Sequence, residues 1–155
     1  MIDLIDNNLI NLNLQAESQL QAIESLTKLL FKSKRISSKE DFIEGVLNRE
    51  AEITTGFGNG IAIPHCKSKS VLKPSIVIGK NKKLIDWNAM DGKGVYFIIL
   101  LAVPHDNGNA IHLKILSELS SKLIDDDFRE SLVNCKCPLE LLNLLNNVLK
   151  FEREE

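Results

Sequence analysis

Three shortages narrow the reading of this 155-residue chain. Cysteine occurs at Cys66, Cys135 and Cys137, and no Cys-x-x-Cys pair exists. So sparse and odd a set argues against a disulfide framework and fits a reducing compartment. Cys135-x-Cys137 lacks a second Cys or His pair at zinc-finger spacing, and no acidic ligands accompany His65, His105 and His112 at metal spacing, so neither a metal nor any other cofactor is expected. An excess of one charge is also missing. Lys plus Arg number 19 against 21 Asp plus Glu, a net charge of −2, and no nucleic-acid partner is expected because binding the phosphate backbone needs a basic surface. Long hydrophobic runs are absent. The longest, Val95–Val103, falls well short of the roughly 20 residues that a membrane span requires, so no direct membrane insertion is expected. The first residues, MIDLIDNNLINL, carry acids where a signal peptide carries basic residues. A soluble cytoplasmic protein is expected, with residues 1–155 forming a single domain.

What is present is globular: 44% hydrophobic and 26% charged residues, a balance that excludes disorder. Residues 18–31 place Leu20, Ile23, Leu26 and Leu30 at helical spacing with Ser18 as N-cap. A second helix is predicted over 38–50, with Phe42, Ile43, Val46 and Leu47 as its apolar face and a capping box from Ser37–Glu40 or Ser38–Asp41. Thr54–Gly60, with three glycines in TTGFGNG, reads as a loop of unusual backbone angles. Short strands follow at 61–63, 76–79 and 84–87, with a polar, basic stretch at 67–73 and a turn at 91–94. The run 95–103 reads as the sheet centre, since continuous β-favouring apolar residues suit burial on both faces. After the turn at 104–109, helices are predicted over 110–124, 126–134 and 138–150, the last with Pro138 in its first turn. Helices, then strands, then helices indicate an α/β or α+β layered fold.

The chemically informative stretch is TTGFGNGIAIPH, residues 54–65. Its glycines allow close approach of backbone N–H groups to an anion, and Pro64 restricts how His65 is presented. Neutral imidazole is a competent nucleophile near neutral pH. The loop lacks the Lys-Ser/Thr ending of a nucleotide-binding P-loop. His112 falls in line with Leu116, Leu119 and Leu123, one turn inside a helix N-terminus, where it is either a core histidine or a hydrogen-bond donor to a phosphate. Arg49 and Glu50 close the second helix. Glu50 lies on the apolar face and needs a partner, whereas Arg49, on its edge, either joins an ion pair or faces the pocket of His65. His105 reads as a solvated loop residue and Cys66 as incidental.

Arg49-Glu50 followed by Thr54–His65, with HLKILSELSSKL from His112, resembles the fructose/mannitol-type enzyme IIA domains of the bacterial phosphoenolpyruvate-dependent sugar phosphotransferase system. The resemblance runs from the first helix to about residue 149. It implies an α/β fold, a mixed β-sheet flanked by helices on both faces in three layers. It also implies phosphoryl transfer, with His65 phosphorylated by the phosphocarrier HPr and an enzyme IIB domain as acceptor. His112 and Arg49 would stabilise the phosphoryl group, with Thr55, Asn59 and Glu50 supporting the phosphate site. The nitrogen-regulatory class shares this fold and histidine, so transport and regulation both stay open. Cys66 departs from the pattern, since glycine is common directly after the histidine. His105 is not part of the pattern either.

Overall fold

The computed structural model describes residues 4–105 and 108–149, with side chains for all of these but 108–113. The central strand is the apolar run expected from sequence: β6, Val95–Pro104. Its neighbour β5, Ser75–Ile85, runs antiparallel to it, and β1, Ile10–Leu14, pairs parallel with β5. Two short strands share the other edge of β6. Strand β3, Ile61–Ala62, pairs with Phe97 and Ile98 and also carries the antiparallel β2, Gly56–Gly58. Strand β4, His65–Ser68, lies parallel to β6 opposite Leu101–Pro104. The break between β3 and β4 falls at Pro64, which has no N–H to give a ladder. The Pro64 carbonyl still accepts from the Leu101 amide at 2.9 Å. His65 is thereby held opposite Leu101 in fixed register.

The sheet is mixed and covered on both faces. Helices α1, Gln19–Lys32, and α2, Lys39–Glu52, pack together, α1 on β5 and α2 on β4. On the opposite face α3, Gly108–Leu123, packs on β6 and α5, Pro138–Val148, on β1, with α4, Asp126–Val133, against α3. Consecutive Ile76, Val77 and Ile78 are fully buried, as are Phe97 through Leu101. Strand side chains alternate between faces, so such runs require cover on both sides. The three-layer α/β expectation holds. Among the described residues, no helix is long and apolar enough to cross a membrane.

The predicted caps form as expected. Ser18 accepts from the Gln21 amide and Ser38 from the Asp41 amide, each at 3.2 Å, and Pro138 opens α5. Ile23, Leu26 and Leu30 are buried, but Leu20 is largely exposed. Four expectations change. The strands predicted at 76–79 and 84–87 are one strand, β5, whose Lys82 and Lys83 are exposed where its register with β6 shifts. Residues 54–60 are not all loop, because Gly56–Gly58 pairs with β3. The polar stretch at 67–73 begins inside β4. Finally, β1 has no counterpart in the sequence reading, because the alternation of INLNL lies among asparagines.

The hairpin from β2 to β3 turns through three successive left-handed residues, Gly58 (φ 106°), Asn59 (φ 58°) and Gly60 (φ 82°). The Gly60 carbonyl accepts from both the Tyr96 and Phe97 amides, at 2.8 and 3.0 Å. A Cβ at Gly60 would lie 2.5 Å from Tyr96 Cε1, whereas one at Gly92 (φ 74°) would meet nothing within 4 Å. Both positions carry left-handed strain, about 1–2 kcal/mol for a residue with a side chain. Only Gly60 adds an overlap, worth about 1–3 kcal/mol more. Urea denaturation is expected to show Gly60→Ala about 2–5 kcal/mol less stable than wild type and Gly92→Ala only about 1–2 kcal/mol less stable.

Candidate functional site

Helix α2 carries two faces. Phe42 and Val46 are buried, with Ile43 and Leu47 half-buried against the core. Gly45, Asn48, Arg49 and Glu52 recur at helical spacing on another face, and together with His65, Cys66 and Lys67 of β4 they line a cavity of about 280 Å³. Arg49 and His65, proposed from sequence as pocket partners, do meet there. The Arg49 Nη1 donates to the Ile53 carbonyl at 3.0 Å, which folds its side chain back along the end of the helix.

His65 is 8% exposed. Its Nδ1 lies 3.0 Å from the Ile63 carbonyl oxygen. A carbonyl can only accept, so Nδ1 carries the proton and donates. In the neutral ring the lone pair therefore sits on Nε2. Burial lowers the pKa of the ring below its ordinary value, and the Arg49 charge lowers it further. The Ile63 hydrogen bond and the carboxylates of Glu50 and Glu52 pull the other way without reversing the shift. The result is an imidazole that is neutral at neutral pH, with one defined nucleophilic nitrogen. Folding favours the unprotonated ring, so this contribution to stability is complete above the unfolded pKa near 6.5 and is lost as pH falls toward the lower folded value.

Glu50 finds its partner in the loop rather than in Arg49. Its Oε2 accepts from the Thr55 amide at 2.7 Å and its Oε1 from the Thr55 hydroxyl at 2.5 Å. The Trp87 Nε1 donates to the same hydroxyl at 3.4 Å, and the Thr54 hydroxyl donates to the Trp87 carbonyl at 3.2 Å. This brace ties the end of α2 to the glycine loop and to the buried Trp87. Thr55 and Glu50 thus hold the frame of the site rather than line the cavity. Asn59 is not brought to the cavity. It lies at the β2–β3 turn, its amide donating to Asp91 at 3.1 Å, and borders a separate hollow beside Tyr96 and Arg129. Its turn meets β6 near Phe97, whereas His65 meets it at Leu101, four residues or about 13 Å along the sheet.

His112 belongs to α3, but its side chain lies outside the described residues. His105 is exposed at the bend after β6. Cys66 is not incidental to the packing. It is 4% exposed, and burial pushes its thiol pKa up to about 11, so it stays a protonated, apolar group. It packs against Gly45, where there is no room for a Cβ. Sequence reading missed Gly45, Asn48 and Glu52. All three were legible in principle, as the i, i+3, i+4, i+7 set that contains Arg49. Lys67, legible as a basic residue close to His65 in sequence, lies on β4 and lines the cavity.

A family model described as "Phosphoenolpyruvate-dependent sugar phosphotransferase system, EIIA 2" matches residues 3–148. The fructose-specific EIIA component of the phosphotransferase system of Haloferax volcanii is 36% identical over 129 residues, covering 83% of this chain and 83% of that protein. The fructose-specific EIIABC component of Bacillus subtilis is 30% identical over 144 residues, or 93% of this chain, which spans 22% of that longer protein. Among solved structures, the nitrogen regulatory protein IIA-Ntr of Neisseria meningitidis superposes with a TM-score of 0.83 at 30% identity, covering 90% of this chain and 94% of that one. With its mixed, double-covered sheet and its histidine at the start of β4, the chain belongs to the EIIA 2 family of phosphotransferase components of the phosphoenolpyruvate-dependent sugar phosphotransferase system.

Proposed function

We propose that the protein is a phosphoryl carrier of sugar uptake. In this reading it takes phosphate onto His65 from phospho-HPr and passes it to an enzyme IIB domain, acting in the cytoplasm as one domain over residues 1–155. The observation that carries the reading is the Nδ1–H bond to the Ile63 carbonyl in a buried ring beside Arg49. It leaves Nε2 as the attacking atom. In the transfer, the Nε2 lone pair forms a bond to phosphorus while the donor's histidine nitrogen leaves with the pair of the breaking P–N bond. The ring keeps its Nδ1 proton. On the acceptor side, a nucleophile of the IIB domain bonds to phosphorus while the P–Nε2 bond breaks and its electron pair returns to His65 Nε2. Such chemistry asks mainly for positioning and charge stabilisation.

Arg49 supplies the cation for the phosphoryl oxygens. His112 on α3 is assigned to the same group by its place in the family pattern. Thr55 and Glu50 act by bracing the end of α2. Asn59 acts through the shape of its turn. The fructose-specific names of two relatives favour transport, and the EIIABC name of one joins an A to a B component, which supports the IIB acceptor. The likeness to IIA-Ntr favours a second reading, a regulatory phosphoprotein that controls targets by its phosphorylation state without moving sugar. Transfer from the phosphorylated protein to a IIB domain, followed by sugar phosphorylation, separates the two.

Incubation with phosphoenolpyruvate, enzyme I and HPr is expected to add one acid-labile phosphate to the wild type by intact mass, and none to His65→Ala. Arg49→Ala is expected to slow uptake about 10²–10³-fold, the usual loss on removing one transition-state donor. His112→Ala is expected to fold, by circular dichroism, but to transfer slowly. Because burial lowers the pKa of His65, the uptake rate, with donor phosphorylation held constant, is expected to fall with pH along a titration whose midpoint lies below 6.5.

A further inference from the structure

The contact between Gly45 and Cys66 has the form of a fitted pair. Gly45 stands inside α2, where glycine is the poorest helix former short of proline and alanine would be favoured. Cys66 is buried on β4, directly after His65. A Cβ built at Gly45 would overlap the Cys66 sulfur, yet it would stand 3.8 Å from the Cys66 Cβ, an ordinary van der Waals separation. The sulfur atom alone fills the space that Gly45 leaves open. One helical turn further along α2, about 6 Å away on the same face, stands Arg49. All four residues line the cavity of His65.

We propose that Gly45 and Cys66 form a size-matched pair that sets the distance between α2 and β4 and so positions Arg49 against His65. Gly45 and Cys66 are then positioning residues, acting through Arg49 and His65. The inference rests on the phosphoryl-carrier reading for its consequence in catalysis, but its steric core does not. The helix gives up a side chain at 45 so that the strand can carry one at 66. A Cβ at 45 with the sulfur still present pushes α2 outward, and a shift near 1 Å in a reacting geometry can cost about 100-fold in rate.

The test is the cycle of wild type, Gly45→Ala, Cys66→Ala and the double variant. It has three readouts: thermal midpoint, the NMR titration of the His65 ring, and phosphate uptake from HPr. With Cys66 in place, Gly45→Ala is expected to lower the midpoint, slow uptake about 10–100-fold and raise the titration midpoint of His65 toward 6.5, as burial and the Arg49 charge both weaken. In the Cys66→Ala background the same change is expected to raise the thermal midpoint, as alanine does in an unobstructed helix, and to leave uptake and titration near those of Cys66→Ala. This reversal of sign is the signature of the pair. Should Gly45→Ala fail to fold, recovery of the fold in the double variant supports the pair equally, and failure to recover overturns it. Gly45→Ala with wild-type uptake and titration, or a double variant as impaired as Gly45→Ala, also overturns it. If wild-type protein takes no phosphate, the carrier reading fails by itself, while the thermal and titration readouts still decide the pair.

Discussion

A single hydrogen bond, from His65 Nδ1 to the Ile63 carbonyl, links the backbone path of this protein to its chemistry. The bond requires the chain to turn at Pro64, so that a residue two positions earlier offers its carbonyl to the ring. That turn is also what splits β3 from β4 along one edge of β6 and leaves His65 opposite Leu101. Register, tautomer and nucleophilic atom are therefore consequences of one local path. The mixed sheet holds that path still. Strand β6 is buried along nearly its whole length, and a strand with cover on both faces has no freedom to slip, because a one-residue shift would reverse every side chain.

Helix α2 carries the second half of the arrangement. Its apolar residues anchor it in the core, while its polar face turns Arg49 toward His65. At its C-terminal end Glu50 reaches out to the Thr55 amide and hydroxyl, and Thr55 is in turn held by Trp87. In its middle, Gly45 lets the helix approach β4 closely. The helix is thus fixed by a polar brace at one end and by a steric fit at its centre, and Arg49 lies between the two. In this account the glycine loop serves mainly as structure. Gly56 admits Ala89, and the Gly58–Gly60 turn feeds β3 into the sheet; neither lines the His65 cavity.

Much of this was legible in the sequence because the signals were local. Ser18, Ser38 and Pro138 announce helix starts through backbone groups within their own first turn, and the run from Val95 to Val103 announces a doubly buried strand by its composition. His65 and Arg49 were legible through a motif. What escaped the sequence depends on contacts between distant segments. Strand β1 exists because β5 offers it an edge, not because of its own composition. Lys82 and Lys83 look like a break in β5, but they mark only where the strand emerges from the layers. Glu50 called for a partner, and that partner proved to be Thr55, five residues on, because the loop folds back over the helix end. Asn59 sits in the same motif as His65, yet the sheet carries the two apart. The fit of Gly45 to Cys66 joins residues from a helix and a strand with no shared pattern.

The central claim is that a neutral His65, with its proton held at Nδ1, reacts through Nε2. Long-range proton–nitrogen NMR correlation on the phosphorylated, nitrogen-15-labelled protein tests it directly. The account predicts a phosphoryl group on Nε2 of His65, with Nδ1 still protonated. A phosphoryl group on Nδ1, or on any other residue, would contradict it.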